Sequence, residues 1–272
     1  MKRLLILLGT LPLLASAAQH KVVTLGGDVT EIVYALGAQD ALVARDSTST
    51  WPAAALKLPD VGYLRQLNAE GILASHPDLV LASAQAQPSL ALTQVAQNGA
   101  EVITVPGRDD LSVIDEKIRV VARALGKDAE GKALSSRLDQ TLADLPPPPL
   151  NKRVLFILSH SGMNAMAAGQ QTGADAAIRA AGLTNAMQGF ARYQPLSQEG
   201  VIASKPDLVV ISADGLKSMG GESALWSLPG LAQTPAGHNK QVLQVDDMAL
   251  LGFGIRTPEA VKALRHKAEQ LP

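Results

Sequence analysis

Tyr63 and Arg65 lie two positions apart, so in an extended backbone they project from one face. A phenolate oxygen is a hard anionic donor that favours ferric over ferrous iron. Tyrosine's ordinary pKa of about 10 means that a neighbour must favour the ionised form at neutral pH. A guanidinium that close does so by opposite-charge attraction. The same pair also fits a plain loop tyrosine with its hydroxyl in water, and the residues alone leave both readings open. His160 follows directly on the apolar run from Arg153 to Leu158. Loops at the C-terminal ends of parallel strands face ligand crevices, so His160 is a candidate metal ligand or a local hydrogen-bonding residue. Arg192 and Arg256 add two further forked cations, suited to gripping a carboxylate or to plain surface ion pairs.

These residues sit in a chain with an internal duplication. The segment 69–83, Ala-Glu-Gly-Ile-Leu-Ala-Ser-His-Pro-Asp-Leu-Val-Leu-Ala-Ser, returns at 198–212 as Gln-Glu-Gly-Val-Ile-Ala-Ser-Lys-Pro-Asp-Leu-Val-Val-Ile-Ser. Two copies are too few to stack as a solenoid, so they describe two similar lobes, and a cleft between lobes is where a small ligand binds. His76 fills the slot that Lys205 takes in the second copy, which marks an exposed turn.

Each half opens on an apolar strand pattern, 21–25 and 153–158, of the kind buried on both faces of a parallel sheet. Helical segments at 29–36 and 174–181 end at Gly37 and Gly182, and further strands are expected at 101–105 and 241–245. The fold class is α/β, with mainly parallel central sheets in two lobes. Between the lobes, Leu111, Ile114, Ile118, Val121 and Leu125 repeat at helical spacing up to Gly126. A second helix is expected from 128 to 145, stopped by the Pro146–Pro149 run. At about 25 Å it is long enough to cross from one lobe to the other, and such a stiff connection favours small rocking over wide closure. The boundaries are 1–18 leader, 19–107 first lobe, 108–149 connection and 150–272 second lobe.

Met1-Lys2-Arg3, the apolar stretch Leu4–Leu14 and Ala15-Ser16-Ala17-Ala18 have the form of a secretory signal peptide cleaved near Ala17 or Ala18. Without Lys2 and Arg3 the chain has 22 basic and 25 acidic residues, a net of −3 with no single-sign block, so nucleic acid is excluded as a natural partner. The absence of cysteine removes disulfides, thiolate catalysis and iron–sulfur ligation. No Gly-x-Ser-x-Gly elbow, His-Glu-x-x-His helix or Gly-x-Gly-x-x-Gly loop occurs, and the chain reads as a binding protein and not an enzyme.

The leader, the paired lobes and the twice-used Glu-Gly-x-x-Ala-Ser-x-Pro-Asp-Leu-Val unit together resemble the substrate-binding proteins of ABC importers for iron–siderophores, cobalamin and haem. Within that family, Gly62-Tyr63-Leu64-Arg65-Gln66-Leu67 before the first unit is similar to the haem-binding branch. So are Ser159-His160-Ser161-Gly162, Ala168-Gly169-Gln170-Gln171-Thr172 and Gly252-Phe253-Gly254-Ile255-Arg256-Thr257-Pro258. The resemblance implies ferric haem as the transported ligand, Tyr63 as an axial ligand, and His160 as a second ligand or hydrogen-bond partner. Arg65, Arg192 and Arg256 become candidates for the propionates, and Met163, Met166 and Tyr193 candidates for the porphyrin face. With aromatic residues at only 3%, aliphatic side chains must do most of the ring packing.

Glu70 and Glu199 hold equivalent places in the two repeats. The resemblance implies two acidic knobs that meet arginines on an inner-membrane permease dimer, with the binding protein itself a monomer. A siderophore or cobalamin is the alternative cargo; a bare metal would need several converging ligands, and only His160 is well placed.

Overall fold

The computed structural model describes residues 20–160 and 164–272; the expected leader at 1–18 and Met163 lie outside the described residues. The first lobe runs β1 (Val22–Leu25), α1 (Gly27–Ala35), β2 (Leu42–Arg45), α2 (Ala69–Leu73), β3 (Leu79–Ser83), α3 (Ser89–Gln97) and β4 (Glu101–Val105). Its strands are all parallel, in the order β2-β1-β3-β4. Their unbroken apolar runs follow from two-sided burial. Val22, Leu79 and Leu81 face an inner core, while Val23, Leu25, Val80 and Ala82 face an outer one.

The connection is α4 (Val113–Ala124) followed by α5 (Asp128–Leu142). It is two helices side by side, at the two helical stretches that the sequence marks on either side of Gly126, and α5 also packs on α12 (Thr257–Glu269) of the second lobe. Helix α4 packs on α1 and β4 of the first lobe, and α5 lies along α4. Gly131 permits that closeness, because a Cβ there would meet the Cβ of Ala122 at 2.6 Å.

The second lobe continues with β5 (Arg153–Leu158), β6 (Met166–Ala168), α6 (Gly173–Ala180), β7 (Thr184–Asn185), β8 (Tyr193–Pro195), α7 (Gln198–Ser204) and β9 (Leu208–Ser212). It ends with α8 (Ala213–Ser218), α9 (Glu222–Trp226), α10 (Pro235–Asn239), β10 (Val242–Val245), α11 (Asp247–Leu251) and α12 (Thr257–Glu269). Strands β10, β9 and β5 are parallel, β7 joins β5 in parallel, and β6 and β8 extend the sheet antiparallel. The α/β class and the parallel centre of each lobe stand as expected, and the antiparallel edge is an addition. The same two-faced pattern recurs, with Val154 and Phe156 turned to the inner core and Leu155 and Ile157 to an outer one.

The duplicated segment has a structural task. Asp78 accepts the Lys21 amide at 2.9 Å through Oδ2 and donates its own amide to the Lys21 carbonyl at 2.9 Å. Asp207 does the same with Arg153, at 2.7 and 2.8 Å. Each Pro-Asp turn thus clamps the start of the neighbouring strand, setting the register Val22↔Leu79 in one lobe and Val154↔Leu208 in the other. His76 and Lys205 are both exposed with left-handed backbones, φ 46° and 43°, which identifies His76 as a turn residue.

One apolar cluster runs from lobe to lobe, through Val29 and Ile32 of α1, Ile114 and Ile118 of α4, Phe156, Phe253 and Leu264. The lobes therefore share a core, which restricts how far they move apart.

Candidate functional site

The C-terminal ends of both sheets open onto one cleft of about 950 Å³, near the upper end of the usual range for small-molecule sites. In the first lobe, strand order reverses between β1 and β3, and Gly26 and Ser83 at their ends line the cleft, as the switch-point rule requires. Leu158, Ser212 and Val245, at the ends of β5, β9 and β10, line the other wall.

Tyr63 enters this cleft from a pinned loop. Gly62, at φ 101°, takes a backbone conformation that side chains disfavour; its amide donates to Asp60 at 2.8 Å and its carbonyl accepts from Ser47 at 2.9 Å. Buried Leu64 anchors the far side, its carbonyl accepting the Gln87 amide at 2.7 Å, while the Leu67 amide donates to the Gln87 carbonyl at 2.8 Å. The phenol ring stays 41% exposed, open to the cleft. The chain turns at Leu64 and Arg65, with the Gln66 amide donating to the Tyr63 carbonyl at 2.8 Å. The backbone is therefore not extended, and Arg65 is aimed elsewhere: its Nη2 donates to Gln85 Oε1 at 2.7 Å.

His160 and Arg192 line the opposite wall, both exposed. Arg192 has a left-handed backbone, φ 66°, held by its amide donating to the Gln170 carbonyl at 2.8 Å and its carbonyl accepting the Gly169 amide at 2.9 Å. Tyr193 beside it is the second cleft tyrosine, and its environment is opposite to that of Tyr63. Burial, then the carboxylates of Asp247 and Asp109, push its hydroxyl up to about 12 against the pull of Arg65, so it stays a neutral phenol. Met166 pairs with Leu158 and Pro195 within the sheet.

Arg256 departs from the propionate expectation. Its Nε and Nη2 donate to buried Glu31 at 2.9 and 2.5 Å, its Nη1 to Asp246 at 3.1 Å, and its guanidinium stacks 4.9 Å from the Trp51 ring centroid. Those contacts occupy the fork, because Glu31 is buried on α1 and needs the counter-charge. Arg256 thus ties the second lobe to the first, while Arg65 and Arg192 are the expected arginines that line the cleft.

Several cleft groups carry no sequence signal. Lys117 on α4 is buried and donates to Asp28 at 2.6 Å and to the Gly252 carbonyl at 2.8 Å. Burial raises the carboxyls of Asp109 and Asp247, and Asp247 Oδ1 is buried with no hydrogen-bond partner among the described residues. Gly26 and Gly27, whose run with Asp28 passes for a catalytic loop in isolation, give their amides to Asp46 at 2.9 Å and Thr48 at 3.0 Å, so they brace the fold. Glu70 and Glu199 are both exposed, each in the second position of its helix behind the caps Asn68 and Ser197.

The periplasmic binding protein family model matches residues 22–249. The chain belongs to that family. Among curated family relatives, the vitamin B12-binding protein of Vibrio vulnificus (strain CMCP6) is 27% identical over 241 residues, covering 86% of this chain and 84% of that protein. Among solved structures, the periplasmic heme-binding protein BhuT in complex with two hemes is 44% identical with a TM-score of 0.84, covering 92% of this chain and 97% of that one. The apo form of the periplasmic heme-binding protein RhuT from Roseiflexus sp. RS-1 is 37% identical with a TM-score of 0.85, covering 92% and 97%. The periplasmic heme-binding protein HutB of Vibrio cholerae is 33% identical with a TM-score of 0.80, covering 92% and 98%.

Proposed function

We propose that this chain captures ferric haem in the interlobe cleft and delivers it to an inner-membrane ABC transporter. The observation that carries the reading is the phenol of Tyr63, held open to the cleft on a pinned loop, in a chain that shares 44% identity with a protein solved with two hemes. Tyr63 supplies the phenolate ligand, which suits ferric iron. His160 on the opposite wall acts as a second ligand or as a hydrogen-bond partner of the porphyrin. Arg65 and Arg192 meet the propionates; Met163 belongs to the same proposal as a soft contact with the ring.

Glu70 and Glu199, exposed at matched positions on the two lobes, dock on a permease dimer. Coulomb attraction to arginines there gives a charge-dependent, salt-sensitive encounter. The protein works as an exported monomer, its leader cleaved near Ala17 or Ala18, and it performs no turnover of the haem. The first lobe at 19–107 and the second at 150–272 rock slightly about the connection at 108–149.

The decisive experiment is a visible-spectrum titration of the purified mature protein with ferric haem, beside Tyr63→Phe and His160→Ala. The wild type is expected to show a tyrosinate-to-iron band that Tyr63→Phe lacks. Identical spectra for those two proteins remove the ligand role. A second reading, cobalamin as cargo, is favoured by the vitamin B12-binding relative; saturable uptake of cyanocobalamin with no binding of haem selects it.

A further inference from the structure

We infer that Gln85 is the positioning residue that sets Arg65 as a carboxylate clamp on the floor of the cleft. The inference deepens the haem reading and rests on it.

Gln85 follows the C-terminal end of β3, where the Ala84 amide donates to the Val105 carbonyl at 2.8 Å and the Ala86 amide to the Ser83 carbonyl at 2.9 Å. Its side chain is held at both ends. Nε2 donates to the Gly107 carbonyl at 3.2 Å, and Oε1 accepts from Arg65 Nη2 at 2.7 Å. Because a carbonyl only accepts and a guanidinium only donates, this is the one amide orientation that satisfies both neighbours. Gly107 allows the approach: a Cβ there would stand 3.2 Å from Gln85 Cγ.

The consequence is a neutral brace on a charged fork. Gln85 takes one of the five guanidinium N–H groups without cancelling the charge, leaving the others for a ligand oxygen. Asp109 interacts with Arg65 through its charge, but among the described residues no carboxylate forms an ion pair with this fork, whose side-chain partner is the neutral Gln85. Arg256 is the contrasting case, with its fork engaged by two carboxylates. A braced side chain loses less conformational freedom when it grips a ligand, so affinity for an anionic ligand edge rises. Nothing about a glutamine after the Leu-Val-Leu-Ala-Ser strand marks this role in the sequence.

The test titrates ferric haem and ferric haem dimethyl ester, whose propionates are uncharged, into the wild type, Gln85→Leu, Arg65→Ala and the double variant. Gln85→Leu is expected to weaken haem binding about tenfold and to leave the ester within about twofold, which also reports an intact pocket. In the Arg65→Ala background the same Gln85→Leu change is expected to cost nothing further, since its effect runs through Arg65. Gln85→Glu keeps the contact but cancels the charge, and is expected to lose haem and spare the ester. Equal loss for haem and ester, or an undiminished loss in the Arg65→Ala background, overturns the clamp while haem binding by the wild type still stands. A wild type that binds neither porphyrin overturns the haem reading itself and the clamp with it.

Discussion

The Lys117 ammonium lies 2.6 Å from the Asp28 carboxylate with both side chains buried, 2% and 6% exposed, at the point where α4, α1 and the Gly252 loop of the second lobe converge. Neither charge tolerates being left alone there. Removing one partner of a buried pair costs about 3–5 kcal/mol because the other stays desolvated and uncompensated. Lys117→Met is therefore expected to lower the melting temperature by roughly 10 °C. Adding Asp28→Asn in the same chain should recover more than half of that loss. A double variant as unstable as Lys117→Met would show that packing, and not the uncompensated carboxylate, sets the cost.

The two cleft tyrosines divide by environment. Tyr63 is 41% exposed, whereas the hydroxyl of Tyr193 is pushed up to about 12 by burial and by Asp247 and Asp109. In the cleft without a ligand, ionising Tyr193 at neutral pH costs several powers of ten in population. Tyr193→Phe is expected to preserve the tyrosinate-to-iron band of the haem complex, and Tyr63→Phe to abolish it. Loss of the band in Tyr193→Phe, with the band retained in Tyr63→Phe, would exchange the two roles.

Much of the architecture was legible because its signals are local. The apolar runs of β1 and β5, the glycines that follow α1 and α6, and the repeated Pro-Asp unit each encode a backbone or burial demand within a few residues. The close packing of the two connecting helices has no local signal, because the Gly131–Ala122 approach depends on two helices meeting in space. The antiparallel edge was missed because Met166–Ala168 and Tyr193–Pro195 are three-residue strands, too short for any period to register. At the cleft, His160 stands out just after a strand and Tyr63 by its spacing from Arg65, and both line it. The turn that redirects Arg65 to Gln85, 20 positions on, was not legible, nor was the meeting of Arg256 with Glu31 across 225 positions. Long-range ion pairs leave no local pattern.

Asp247 gives a pH-dependent stability. Burial raises its carboxyl above the ordinary range, and Oδ1 has no hydrogen-bond partner among the described residues. The native state then holds the proton more tightly than the unfolded chain does. Asp247's favourable contribution is complete below the unfolded pKa, about 4, and is lost as pH rises through the folded value. Asp247→Asn removes the buried charge and is expected to raise the melting temperature by about 2–4 °C at pH 7.5. Near pH 3.5, where the wild-type carboxyl is itself neutral, the difference should shrink towards zero. Thermal scans at the two pH values check this, and a gain of equal size at both would mean that the charge is not the cause.

Arg256 offers a test that separates a structural arginine from those proposed to grip the ligand. Its fork meets Glu31, which is buried on α1 of the first lobe, and Asp246, which caps α11 of the second. Removing it leaves Glu31 buried without a counter-charge, and burial already raises that carboxyl despite Arg256. Arg256→Ala is thus expected to destabilise the fold by about 2–4 kcal/mol, somewhat less than a fully buried break because the arginine is 21% exposed. Arg256 is not among the described residues that line the cleft, so a protein that remains folded at 10 °C should still prefer haem over its dimethyl ester by the wild-type ratio. Arg65→Ala should show the reverse pattern, with near-normal stability and a collapsed preference. If Arg256→Ala lost the preference while keeping its melting temperature, the fork would have to leave Glu31 on ligand binding, and the ion pair would be a latch between the lobes and not a fixed pin.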